Sequence, residues 1–158
     1  MSSERPIVTG LVPCATVLVS VASGARRDAT TATAVFVAEK PPLLSVSLAD
    51  HILTRELVEE SGQFVVNIAS SEQTDLAGRL GSTHGGEVDK FTAFDVPTEP
   101  AEVVASPRIA GSYANLECTV TASHPAGRYT VYLCDVVAYA VDESKRPLVW
   151  HRGQYVSL

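Results

Sequence analysis

Short β-branched runs follow one another along most of the chain, with no sustained strand–helix–strand alternation between them. This ordering constrains the fold more than any other feature. Antiparallel strands can be joined by tight turns, whereas each parallel pair needs a long crossover, usually a helix. Residues 16–21 (Thr-Val-Leu-Val-Ser-Val) end at the turn signal Ser23-Gly24, and residues 30–37 are followed by Pro41-Pro42. In residues 43–48, Leu44, Val46 and Leu48 alternate with Leu43, Ser45 and Ser47, which is the period of a strand with one apolar face and one hydroxyl-bearing face. Further strands are predicted over 64–68, 113–121, 129–141 and 147–151.

Two helices are predicted in the middle of the chain. One runs over 54–61, with Thr54 as its N-cap, Glu56 in its first turn and Gly62 past its end. The other runs over 71–80, where Ser70 and Gln73 form a capping-box pair, Leu76, Ala77 and Leu80 make an apolar stripe, and Gly81 is the stop. Residues 82–107, rich in Gly, Pro and charge, read as a long loop with little regular structure. The expected fold is therefore mainly β. It is a closed or nearly closed antiparallel barrel of about six or seven strands in Greek-key order with a few short helices. A chain of 158 residues is enough for one domain over 1–158.

Charge and composition exclude several function classes. The net charge is −6, and the only basic doublets are Arg26-Arg27 and Lys145-Arg146, so no nucleic-acid surface is expected. No apolar run approaches the roughly 20 residues of a membrane helix, and the start of the chain lacks a signal-peptide core. A cytoplasmic protein with no membrane contact is expected. Cys14, Cys118 and Cys134 are odd in number and widely spaced, and read as small buried hydrophobes. The four histidines show no metal-ligand spacing, so no metal is expected. Neither Gly-x-Ser-x-Gly nor Gly-x-Gly-x-x-Gly occurs.

One segment has the makings of a ligand ledge. Asp28-Ala29-Thr30-Thr31-Ala32-Thr33 sets three threonines among small neighbours just after a turn. It can be a half-buried strand with solvent-facing threonines. It can also be a shelf on which a flat ligand lies, with hydroxyls and amides at its polar edge. Ser45, Ser47 and Thr54 add neutral donors nearby in sequence. Lys90, in Asp89-Lys90-Phe91, is either a solvated loop lysine or a cation for an anionic ligand.

Taken in order, Asp28-x-x-Thr31-Ala32-Thr33, Lys40-Pro41-Pro42-Leu43-Leu44-Ser45-Val46-Ser47-Leu48, Thr54-Arg55-Glu56-Leu57, Ser61-Gly62-Gln63-Phe64-Val65-Val66-Asn67, Asp89-Lys90-Phe91 and the closing Trp150-x-x-Gly153-x-Tyr155 resemble the flavin reductase-like, FMN-binding split-barrel family over nearly the whole chain. The resemblance implies a homodimer with FMN (or FAD) at its interface and NADH or NADPH as co-substrate. It further implies reduced flavin passed to a partner monooxygenase component or another acceptor. Alternatives on the same fold are a non-catalytic flavin-binding or scaffold protein and an FMN enzyme acting directly on an organic substrate. By motif position, Thr31, Ala32 and Thr33 line the isoalloxazine edge, Ser47 and Thr54 lie near the ribityl-phosphate, and Lys90 is a phosphate cation. Two positions depart from the family pattern. Asp28 stands where Asn or Ser is usual. Gly127-Arg128-Tyr129 replaces Gly-Asp-His, which puts Tyr129 on the nicotinamide side.

Overall fold

The computed structural model describes residues 8–158. Six strands form the frame: β1 (Cys14–Ser23), β2 (Arg26–Glu39), β3 (Pro42–Ala49), β4 (Gln63–Ile68), β7 (Ala114–Ala126) and β8 (Tyr129–Val141). Two-residue strands β5 (Thr98–Glu99) and β6 (Arg108–Ile109) pair with each other, and β9 (Leu148–His151) with β10 (Gln154–Ser157) forms a terminal hairpin. The frame runs in the order β1-β2-β3-β8-β7-β4, and β4 returns to pair with β1, with Leu18 opposite Asn67. The result is a closed antiparallel barrel, as expected, with the β9–β10 hairpin attached beside the start of β1.

The burial of β1 explains its sequence. Val17, Val19 and Val21 point into the barrel interior with Val46, Phe64, Val66 and Tyr132. Leu18 points outward into a second cluster with Ala77, Leu80, Phe91 and Ile109. A strand covered on both faces reads as a continuous apolar run and loses the alternation of a half-solvated one. Each fully buried Val, Leu or Phe contributes about 1.5–3 kcal/mol of transfer free energy.

Three short helices complete the fold: α1 (Leu53–Ser61), α2 (Thr74–Ser82) and α3 (Lys90–Ala93). α1 sends Leu57 and Val58 into the interior cluster, and Gly62 ends it at φ 68°, its N–H donating to the Val58 carbonyl. Three expectations need correction. Thr54 is not the cap: Ile52 holds that position, and the Thr54 hydroxyl is drawn inward to Asp28. Gly81 does not stop α2, which continues to Ser82. Its value is space, because a Cβ there would stand 3.3 Å from Cβ of Thr31. The 82–107 loop also contains a helix. Asp89 accepts the Phe91 N–H at 3.1 Å, and this cap starts α3 in a segment too short for a periodic signal.

The hairpin strand β10 also lies beyond the predicted strands. Arg152 (φ 52°) and Gly153 (φ 74°) make the two-residue turn between His151 and Gln154, which calls for positive φ at both positions. Arginine rarely signals that conformation.

Candidate functional site

A groove of about 450 Å³ opens on the barrel surface. The β2 residues Thr30–Thr33 form one wall, and Ser47, Ala49 and His51 at the end of β3 form another. Trp150 and Tyr155 face it from the hairpin, where they are directly paired across the two strands and so share one face. Tyr129 stands at the rim, about half exposed. The structure thus brings together five of the sequence-proposed residues: Thr31, Ala32, Thr33, Ser47 and Tyr129.

Thr16 lies in the groove lining, 1% exposed, and its hydroxyl has no hydrogen-bond partner. A buried hydroxyl without a partner costs about 1–3 kcal/mol. The Thr31 hydroxyl is already committed, donating to the Ala77 carbonyl and so fastening α2 to β2. At this position the ledge therefore offers backbone and methyl surface.

Thr54 and Lys90 are placed differently from the groove residues. Thr54 is fully buried and donates to Asp28 Oδ2 at 2.6 Å. Lys90 is 3% exposed, with Nζ donating to the carbonyls of Ala29 (2.7 Å) and Leu80 (3.1 Å) and standing 3.5 Å from Asp28 Oδ1. Burial pushes the Lys90 ammonium pKa down, and Asp28 opposes that shift. Asp28 itself is 1% exposed, so its carboxylate turns inward to a hydroxyl and an ammonium. Gly85 closes over it, where a Cβ would sit 2.2 Å from Oδ1.

Lys90 and Asp28 line a smaller chamber of about 150 Å³ that shares Thr30, His51, Ile52 and Gly81 with the groove. Its far side carries His84, whose ring centroid is 5.9 Å from that of His51. His51, His84, Trp150, Tyr155 and Thr16 are among the lining residues that motif reading did not assign. The Trp150-x-x-Gly153-x-Tyr155 pattern was a signal for the aromatic pair, since a hairpin across Arg152-Gly153 sets the two rings opposite each other.

A groove of this size, with aromatic side faces and a polar side chamber, fits a flat heteroaromatic ring. Among the described residues, no group of three or more His, Cys, Asp or Glu could hold a metal ion. Nor is any helix among them long and apolar enough to cross a membrane.

Comparison with known proteins places the fold in a family. The reductase subunit of a flavin-dependent monooxygenase from Mycobacterium tuberculosis is 35% identical over 121 residues, or 75% of this chain. The chain spans 62% of that relative's length, less than two thirds. An NADH-dependent FMN reductase from Streptomyces nodosus is 29% identical over 154 residues, covering 94% of this chain and 80% of the relative. The solved NADH:FAD oxidoreductase of Streptomyces globisporus superposes with a TM-score of 0.87 at 23% identity, over 96% of this chain and 89% of that one, which shows a shared fold. Residues 9–158 match the family model described as flavin reductase like domain. The chain belongs to the flavin reductase like domain family.

Proposed function

We propose that this protein is an NAD(P)H-dependent flavin reductase that holds FMN in the groove and passes reduced flavin to a partner monooxygenase component. The observation that carries the reading is the groove itself, with its Thr30–Thr33 ledge and its Trp150–Tyr155 face. The naming of relatives as an NADH-dependent FMN reductase and as a monooxygenase reductase subunit supports it. When bound, FMN supplies the acceptor for a hydride from the nicotinamide. The chain's part is position and polarity. The backbone of Thr31–Thr33 would hold the polar ring edge. Tyr129, at the exposed rim, would bear on the nicotinamide by stacking or hydrogen bonding. Inward-facing Asp28, countered by Lys90, keeps its charge away from the ring.

The test is anaerobic mixing of flavin-loaded protein with NADH and with NADPH. Rapid loss of the oxidised flavin's visible absorbance is expected with at least one of them. Bound flavin that stays oxidised with both would replace this reading with the non-catalytic one.

The assembly we propose is a homodimer. Phe36 (61% exposed) and its neighbours Val35 and Val37 on β2 lie at the same end of the sheet as Val137 and Tyr139 (69% exposed) on β8, because Phe36 pairs with Leu44 and Leu44 with Cys134. Exposed apolar residues concentrated in this way fit an interface. Phe36→Glu is expected to shift the protein from dimer to monomer in light scattering at micromolar concentration, with little change in secondary structure. A wild-type protein that is already monomeric there would overturn the assignment.

A further inference from the structure

We propose that Arg128, at the tip of the β7–β8 hairpin, receives the phosphates of the nicotinamide nucleotide and so sets the affinity for the hydride donor. The proposal rests on the flavin-reductase reading above and names the residue that meets the anionic part of the second ligand.

The groove is short of positive charge. None of its lining residues is a lysine or an arginine, and the chain carries a net charge of −6. A nicotinamide dinucleotide is a polyanion, so an acidic protein that takes one must set a cation where it enters. Most of the described lysines and arginines stand within ion-pair distance of a carboxylate. Among the described residues, Lys40, Arg128, Arg146 and Arg152 do not. Lys40 precedes β3, at the end away from Ala49. Arg146 donates to the Leu158 carbonyl. Arg152 lies beyond the start of β1, its N–H on the Gly10 carbonyl at 2.7 Å. Arg128 is the one beside the groove-lining Tyr129.

The tip is held in place while its guanidinium is left exposed. Ala126 pairs with Tyr129, so Gly127 and Arg128 form a two-residue turn, and Gly127, at φ 61°, supplies the positive φ that its first position requires. Tyr129 pairs with Ala49 across to β3, and the Arg128 carbonyl accepts the Asp50 N–H at 3.0 Å. The Thr130 hydroxyl donates to the Asp50 carboxylate at 2.7 Å, and Arg55 lies 3.9 Å from the same carboxylate. The turn is thus fastened to the segment whose Ala49 and His51 line the groove, and the acid bonded to it is engaged by other groups. The Arg128 side chain is exposed. A fixed backbone with an uncommitted guanidinium suits a ligand that arrives, delivers a hydride and leaves. The fork geometry of arginine matches phosphate oxygens, and a contact at an exposed rim is weakened by salt.

The experiment is anaerobic stopped-flow mixing of flavin-loaded protein with NADH, with NADPH and with an N-benzyl dihydronicotinamide, a hydride donor that has no phosphate. The parent, Arg128→Ala and Arg128→Lys are compared, with FMN affinity, NAD+ affinity by calorimetry and melting temperature measured alongside. Arg128→Ala is expected to raise the half-saturating concentration of the nucleotide and the Kd of NAD+ roughly ten-fold, with the limiting reduction rate nearly kept. Arg128→Lys should recover part of the loss. Reduction by the benzyl donor, FMN affinity and melting temperature should match the parent. Added salt should weaken nucleotide binding more in the parent than in Arg128→Ala. Equal losses for NADH and NADPH place Arg128 on the shared pyrophosphate, a larger loss for NADPH places it on the extra ribose phosphate, and either supports the proposal. An unchanged nucleotide dependence, a matching loss with the benzyl donor, or a loss of FMN affinity instead would overturn it while leaving the reductase reading intact. If none of the donors reduces the bound flavin of the parent, the reductase reading falls and the role of Arg128 with it.

Discussion

Lys90→Ala is expected to lower stability by about 3–5 kcal/mol, the cost of removing one partner from a buried ion pair. The ammonium bridges three elements: β2 through the Ala29 carbonyl, α2 through the Leu80 carbonyl, and α3, which carries it. Its loss leaves Asp28 Oδ1, which has no hydrogen bond of its own, facing a void. For a protein of this size each kcal/mol shifts the melting temperature by about 2–4 °C, so a drop of roughly 10 °C is expected in thermal unfolding. Asp28→Asn combined with Lys90→Met should recover much of it, because the buried charges then go together. As a phosphate contact, Lys90 would show the opposite pattern: unchanged melting and a ten- to hundred-fold weaker FMN complex. That result would support the phosphate role its sequence motif implies.

Glu117→Gln should have an effect of similar size through a different region. Glu117 is fully buried on β7 and accepts the backbone N–H groups of Glu102 (2.8 Å), Val103 (2.6 Å) and Val104 (3.1 Å). The Arg108 guanidinium donates to it through Nε at 2.8 Å and also through Nη2. One carboxylate thus fastens the 101–108 segment to the barrel. Burial acts to raise its pKa, but the three amides and Arg108 outweigh it and bring the value down from 4.5 to about 2. A depressed carboxylate contributes stability that is complete above its unfolded pKa and is lost as pH falls through the folded one. The window is therefore from about 4.5 down to about 2. The shift corresponds to about 3 kcal/mol at roughly 1.36 kcal/mol per pH unit. Urea midpoints measured across that window should fall steeply for the parent. Glu117→Gln should start lower and show a flatter slope. An equally steep slope in the variant would move the acid sensitivity to other carboxylates.

The barrel was legible because β-branched runs and turn residues agree along the chain, and local and global preferences pointed the same way. The threonine ledge and Ser47 were legible for a related reason: residues 28–33 and 43–48 lie on neighbouring strands, so their order in sequence is close to their order in space. What was not legible depends on chain segments far apart in sequence. His51 and His84 meet only because α2 returns across β2. Lys90 looked like a loop cation because its partners, Asp28 and two carbonyls, belong to β2 and α2. Thr54 looked like a cap because capping and burial use the same hydroxyl, and Asp28, itself hidden under Gly85, decided between them.

Closure of the sheet at β1 and β4 bears on how the molecule opens. Val17 to Ser20 are hydrogen-bonded toward β2 on one side and toward β4 on the other, so this segment has no edge from which to unzip. Its amide protons should exchange with solvent only when the whole barrel comes apart. In the terminal hairpin, β9 is held by its pairing with Cys14 and Ala15, by buried Leu148 and by the Leu148 N–H donating to the Ala69 carbonyl, and the outermost strand β10 should exchange first. Thr16 sits beside that slowest-exchanging stretch, Trp150 on the anchored strand β9 and Tyr155 on the outermost strand β10. The floor of the groove thus belongs to the last part of the protein to yield, and the Tyr155 side of its aromatic wall to an earlier one.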